Sequence, residues 1–318
     1  MKKFMISNFS RIIPMTALAA TFGFYSCGDD DPTPPIPEPN IVEVAAANAS
    51  FTTLVTAVQT AGLVPTLSGT GPFTVFAPTN EAFGRFLTDN NLTANQLLAA
   101  DNLDDILTYH VVAGEVPASA VTAGKVTTVA TTPFYVSVAP NNDIWINGNS
   151  KIIQTDVNAS NGVIHVLDYV ITAPTQNIAE IAVAASTAAA PQFTQLVAAL
   201  TRANLVSAFT GGFDDNFTVF APTDAAFADL YVALGVSGIN EVDLETLTAV
   251  LQYHVVPARA FSQDLREGAS LPTLLTGSNL TVNLANLKIN DSGLVPTALN
   301  IHGTNGVIHA IDKVLLPG

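Results

Sequence analysis

Between residues 51 and 63 the apolar positions Phe51, Leu54, Val55 and Val58 recur at i, i+3, i+4 and i+7, one face of a helix. Ser50 stands where an N-cap belongs, and Gly62 stands where the pattern stops. A shorter apolar stretch, IVEVAAANAS (41–50), precedes it. Both return later as IAEIAVAAS (178–186) and FTQLVAALTRANL (193–205). After each helical pair the pattern turns extended, with Phe-Thr-Val-Phe at 73–76 and again at 217–220. Ala-Pro-Thr follows both runs and predicts a strand end and a helix start. Pro78 and Pro222 lack the N–H a ladder needs and push Ala77 and Ala221 toward extended geometry. Thr79-Asn80 and Thr223-Asp224 then offer helix caps.

Short helical patterns come next at 91–100 and 102–110, the latter matched by 242–254. Strand-like segments follow: FYVSVAP (134–140) and IWING (144–148), against LTVNL (280–284) and LKIND (287–291). Each half closes on Asn-Gly, a strong turn signal, and a strand: NGVIHVLDYVI (161–171) and NGVIHAIDKVL (305–315). The chain is therefore a tandem repeat. FTVFAPTNEAF (73–83) recurs 144 positions later as FTVFAPTDAAF (217–227), with nine of eleven residues identical. Between the early helices the offset is 142, so the second copy carries two extra residues near Gly211-Gly212-Phe213-Asp214-Asp215. The spacer TAPTQ (172–176) is short, which predicts two coupled domains.

Ahead of the repeats, residues 1–26 pair a basic start (Lys2, Lys3, Arg11) with an apolar run from Ile12 to Phe24. That run is too short to span a bilayer and reads as a secretory signal. It ends at Ser26-Cys27, and Cys27 is the chain's one cysteine. A small residue before a cysteine at this place resembles a bacterial lipobox, which makes Cys27 the expected lipidation site; the alternative is an ordinary secretion signal with an incidental cysteine. Residues 27–39 form an acidic and proline-rich tether, Gly28-Asp29-Asp30-Asp31 followed by PTPPIPEPN (32–40), extended by composition. The acidic triplet resembles the export signal of surface lipoproteins in Bacteroidetes-like bacteria. The expected location is an outer-membrane lipoprotein exposed at the cell surface, with a periplasm-facing one as the alternative.

Composition narrows the partners. Only 12% of the 318 residues are charged and the formal charge is −15. Once residues 1–26 are removed, 8 bases face 26 acids, a charge of −18. Such a surface repels phosphate backbones, so nucleic acid is not an expected partner.

Three landmarks together, the TVFAPT-x-x-AF corner, the Tyr-His pair and the NGVIH-x-[LI]-D strand, resemble the fasciclin-type domain family. All occur twice, in order, covering about residues 40–173 and 176–317. The resemblance implies an α+β fold of two tandem fasciclin-like domains, 40–173 and 174–318, each a helix cluster packed beside a β-wedge of two sheets. It further implies a non-enzymatic adhesion or matrix-binding role with no cofactor, whose partner is a cell-surface or matrix protein, or a glycan. In animal members the Tyr-His region has been linked to receptor binding; Tyr109, His110, Tyr253 and His254 are the matching candidates here.

Catalytic signatures are not found. His165-x-x-Asp168 and His309-x-x-Asp312 look like ligand pairs, but residues three apart on a strand point to opposite faces. Tyr109 and His110 are neighbours near a helix end and do not share a face. Asp104-Asp105 and Asp214-Asp215 read as solvated helix-start and turn residues. His302 has no twin, since the equivalent residue is Asn158. The single tryptophan, Trp145, is a candidate for stacking on a sugar ring, weighed against ordinary strand packing; Lys288 or its neighbour stands at its place in the second copy.

Overall fold

The computed structural model describes residues 37–318, so the signal, Cys27 and most of the tether lie outside the described residues. The first helix, Ile41–Ala47, starts at a capping box: Asn40 accepts from the Glu43 backbone while the Glu43 carboxylate accepts from Asn40 N at 2.8 Å. Asn177 and Glu180 repeat it ahead of Ile178–Ser186. The periodic stretch that follows forms the helix Thr52–Thr60, entered through a 3₁₀ turn at Ala49–Phe51. The expected cap at Ser50 is displaced to Asn48, whose side chain accepts from Ser50 N at 2.9 Å. The extra half-turn brings Phe51 into the core. Gly62 ends the helix at φ +68°, a conformation that favours glycine.

The duplicated corner sits in the middle of each repeat. Strand Phe73–Pro78 runs parallel to Gly162–Leu167 and antiparallel to Val111–Ala113. Pro78 is the last paired residue, and the next N–H, that of Thr79, donates to Leu167 O at 3.2 Å. Thr79 then caps its own helix, Asn80–Asp89, accepting from Ala82 N at 3.1 Å. Asn80 does a second job: its Oδ1 accepts from Thr53 N, 2.9 Å away in the first turn of the neighbouring helix. Asp224 does the same for Gln195 N at 2.8 Å. One dipeptide thus pins two helices. Phe76 and Phe83, with Phe220 and Phe227, are buried as core.

Asn-Gly does more than turn the chain. Asn161 accepts from Ile41 N at 2.9 Å and donates to Leu67 O and Gly69 O at 2.8 Å, tying the first helix to the hairpin. Gly162 lies so close to strand Phe73–Pro78 that a Cβ would collide with Phe73 O.

The sheets of the two repeats differ. In the first, the ten-residue strand Ser150–Ala159, bent by register shifts after Ile152 and Gln154, belongs to both arms and links them into a seven-stranded sheet. In the second the arms are two separate four-stranded sheets. One face of each wedge carries the helices and a large apolar core, and a smaller core fills the inside of the wedge. Residues 38–318 form one compact unit, as the short spacer predicts.

Candidate partner-binding site

Helix Leu103–Tyr109 delivers the first Tyr-His pair to the junction of helix and strand. Both side chains point inward: Tyr109 is 1% exposed and His110 2%. The Tyr109 hydroxyl donates to Pro133 O at 3.0 Å and accepts from Asn147 Nδ2 at 3.0 Å, across the inside of the wedge. His110 holds Ile106 O at 2.7 Å through Nδ1, and its Nε2 accepts from Ile171 N at 3.1 Å. The pair of contacts requires a neutral ring with its proton on Nδ1. Burial pushes His110 down to about 4 and lifts the Tyr109 phenol well above its usual range.

The second pair is a close copy. Tyr253 donates to Asn279 O and accepts from Asn290 Nδ2, at 3.0 and 2.9 Å. His254 contacts Val250 O at 2.7 Å and accepts from Leu315 N at 2.9 Å, with its pKa likewise pushed down by burial to about 4. In both repeats the histidine knots the last helix to the chain's exit from the domain. Tyr109, His110, Tyr253 and His254 are therefore all buried, and their polar atoms are spent inside the fold.

The strand histidines are spent in the same way. His165 meets Val116 O at 2.9 Å and accepts from Asp156 N, while Asp168 faces the other side and accepts from Lys151 N at 2.7 Å. His309 meets Ala260 O at 2.9 Å and accepts from Asn300 N; Asp312 accepts from Gly293 N at 2.7 Å. Among the described residues, no three His, Cys, Asp or Glu side chains converge as a metal site would require. Trp145 is half-buried on strand Ile144–Ile146, opposite Lys151 and Ser137 in register.

The residues that do meet across the molecule were not singled out by their motifs. Tyr135, from the first repeat, packs against Phe261 and His302 of the second, with ring centres 6.5 and 5.8 Å apart. Arg259 covers the same ring. Around this centre Ser137 donates to Asp264 at 2.9 Å, Gln263 and Asn300 both donate to Gly148 O, and Arg266 donates to Val138 O. The loop with two extra residues closes the edge: Lys125 donates to Phe213 O at 3.0 Å and approaches Asp214 at 3.5 Å. Unmatched His302 has a role here. Its ring stands edge-on to Tyr135 and Phe261, and burial with the nearby Arg259 charge holds it down to about 3.

The fasciclin domain model matches residues 49–173 and 191–317. Protein sll1483 of Synechocystis sp. is 47% identical over 137 residues, 42% of this chain and 73% of that protein. Transforming growth factor-beta-induced protein ig-h3 of Sus scrofa is 29% identical over 290 residues, 89% of this chain but 40% of that protein. The chain thus spans well under half the length of that animal relative. The fasciclin domain pair of the insect cell adhesion molecule Fasciclin I aligns with 83% of this chain and 95% of its own, at 19% identity and a TM-score of 0.37.

Proposed function

The chain belongs to the fasciclin domain family, and from that premise we propose a non-enzymatic adhesion or matrix-binding module, displayed on a bacterial cell surface by a lipid on Cys27. Fasciclin domains typically occur in adhesion or matrix-binding proteins. The observation that carries the reading is the joining of two such domains into one unit by hydrogen bonds and an aromatic cluster. A coupled pair presents two outer surfaces in fixed relation, so weak contacts on both act together as avidity. With the Tyr-His pairs inside, the contact surface falls to exposed loops where the copies differ. Cells lacking the protein should adhere or co-aggregate less than the parent; unchanged adhesion to cells, matrix and neighbours counts against the proposal.

A second reading is supported by Trp145, half-buried beside Lys151 on a strand that has Lys288 instead in the other repeat. A partly exposed indole suits a sugar ring, and the protein would then capture polysaccharide. A glycan panel tests it: binding lost in Trp145→Ala supports capture, and a flat panel removes it.

A further inference from the structure

The second repeat is open where the first is plugged. In the first, Phe86 and Leu97 are buried, and Phe86 meets the Tyr169 ring edge-on at 6.0 Å. Arg85 lies over that ring at 5.5 Å, and the Tyr169 hydroxyl donates to Asp89 at 3.0 Å. The matching positions of the second repeat hold Leu230, Glu241 and Lys313, with Asp229 and Ala233 in place of Arg85 and Asp89. Leu230 is shorter than a phenyl ring. Glu241 turns outward to accept from Ser237 N at 3.0 Å, and Lys313 turns away to Asp291. A cleft of about 510 Å³ remains beside helices Asp224–Leu234 and Leu244–Tyr253, walled by Leu230, Ile239, Val242 and Leu247. The corresponding helix face of the first repeat borders a more polar hollow, lined by Asn102, Asp105, Thr132 and Thr172.

The cleft has the size and the apolar walls of a small-molecule site. Leu234 and Leu316 at its rim are 52% and 53% exposed, apolar surface left in water at the mouth. The charged side chains on its lining are Asp243 and Glu245, both exposed acids, with no lysine or arginine among them. Hydrogen bonds from Thr246 hold the Asp243 carboxyl below its usual range, so it stays ionised.

We propose that this cleft binds a cationic amphiphile, its apolar body lodged among Leu230, Ile239, Val242 and Leu247 and its positive group held by Asp243 and Glu245. Apolar area sets the affinity, and the acidic rim sets the sign of the head group that is accepted. The site belongs to the second repeat.

The test is a fluorescence titration of the full chain with the neutral apolar probe N-phenyl-1-naphthylamine, followed by displacement with dodecylammonium or dodecanoate, which share a chain and differ in head charge. Saturable binding is expected, with dodecylammonium displacing at about tenfold lower concentration than dodecanoate. Leu230→Phe puts the phenyl ring of the first repeat into the cleft and should weaken probe binding by about tenfold or more. Asp243→Asn with Glu245→Gln keeps a competent helix cap and should leave probe binding intact while narrowing the preference for the cation. Should the refilled variant misfold by circular dichroism, the rim variant decides alone. No saturable binding, an unchanged refilled variant, an unchanged head-group preference in the rim variant, or equal displacement by the two amphiphiles overturns the proposal.

Discussion

Arg259 lies over the face of Tyr135, its guanidinium carbon 4.0 Å from the ring centre, and on this contact the two domains meet. The guanidinium is not paired with a carboxylate in any described salt bridge. It donates to the carbonyls of Gly303, Thr304 and Gly306, at 2.9, 2.9 and 3.1 Å, and burial lowers its pKa to about 10. A cation already stripped of water gains more from an aromatic face than an exposed one, about 2 kcal/mol. Tyr135→Leu should therefore lower stability by about 2–3 kcal/mol in urea denaturation. A double-mutant cycle with Arg259→Met should return a coupling of about 1 kcal/mol or more. Additive effects would show that the contact carries no energy.

Gly148 is required by the same interface. It sits at φ +68°, and a Cβ there would lie 2.6 Å from the Phe261 ring and 2.8 Å from Asn300 Cγ. Gly148→Ala should cost about 1–3 kcal/mol and loosen the domains, read as an increase in radius of gyration by solution scattering. An unchanged scattering profile and denaturation midpoint would contradict this.

The buried histidines make the fold sensitive to acid. His110, His254 and His309 titrate near 4 in the folded chain, against an ordinary value of 6.5. As pH falls below 6.5 the unfolded chain binds protons first, so their contribution is complete above 6.5 and is lost on the way down to 4. At pH 5 each costs on the order of 2 kcal/mol relative to neutral pH. Urea midpoints measured between pH 7 and pH 5, above the range of most carboxylates, should fall steeply. His254→Gln should be less stable at pH 7 but lose less on acidification. A flat profile would show that these rings titrate normally.

Much of the fold is legible in the chain because it is written twice. The corner, the Tyr-His pairs and the Asn-Gly turns are each explained by a buried contact that the two copies share. The interface is hidden for the same reason. The residues that build it are those in which the copies differ: Arg259 and Phe261 stand where the first repeat has Glu115 and Pro117. Repetition marks what each domain needs to fold and leaves unmarked what a pair needs to hold together. Two traces are visible: the two extra residues near Gly211, whose loop meets Lys125, and the unmatched His302, which packs on Tyr135. The roles of Asn80 and Asp224 were also obscured, because a cap for a helix distant in sequence has no local signature.

The Tyr-His pairs can be separated from partner binding. Tyr109→Phe with Tyr253→Phe removes two buried hydroxyls and leaves Asn147 and Asn290 each short of an acceptor. Stability should fall by about 1–3 kcal/mol for each site. Adhesion by cells carrying the variant should match the parent once scaled to the folded protein on the surface. A loss of adhesion at equal folded amount would return these side chains to the contact surface.

The reading of an outward-facing, lipid-anchored adhesive pair is tested most directly by protease shaving of intact cells carrying the parent chain or Cys27→Ser. Shaving should remove the two domains from the parent while periplasmic markers survive, and Cys27→Ser should no longer remain cell-bound. Protection of the parent chain in intact cells would contradict the account, because a protein facing inward cannot hold one cell to another.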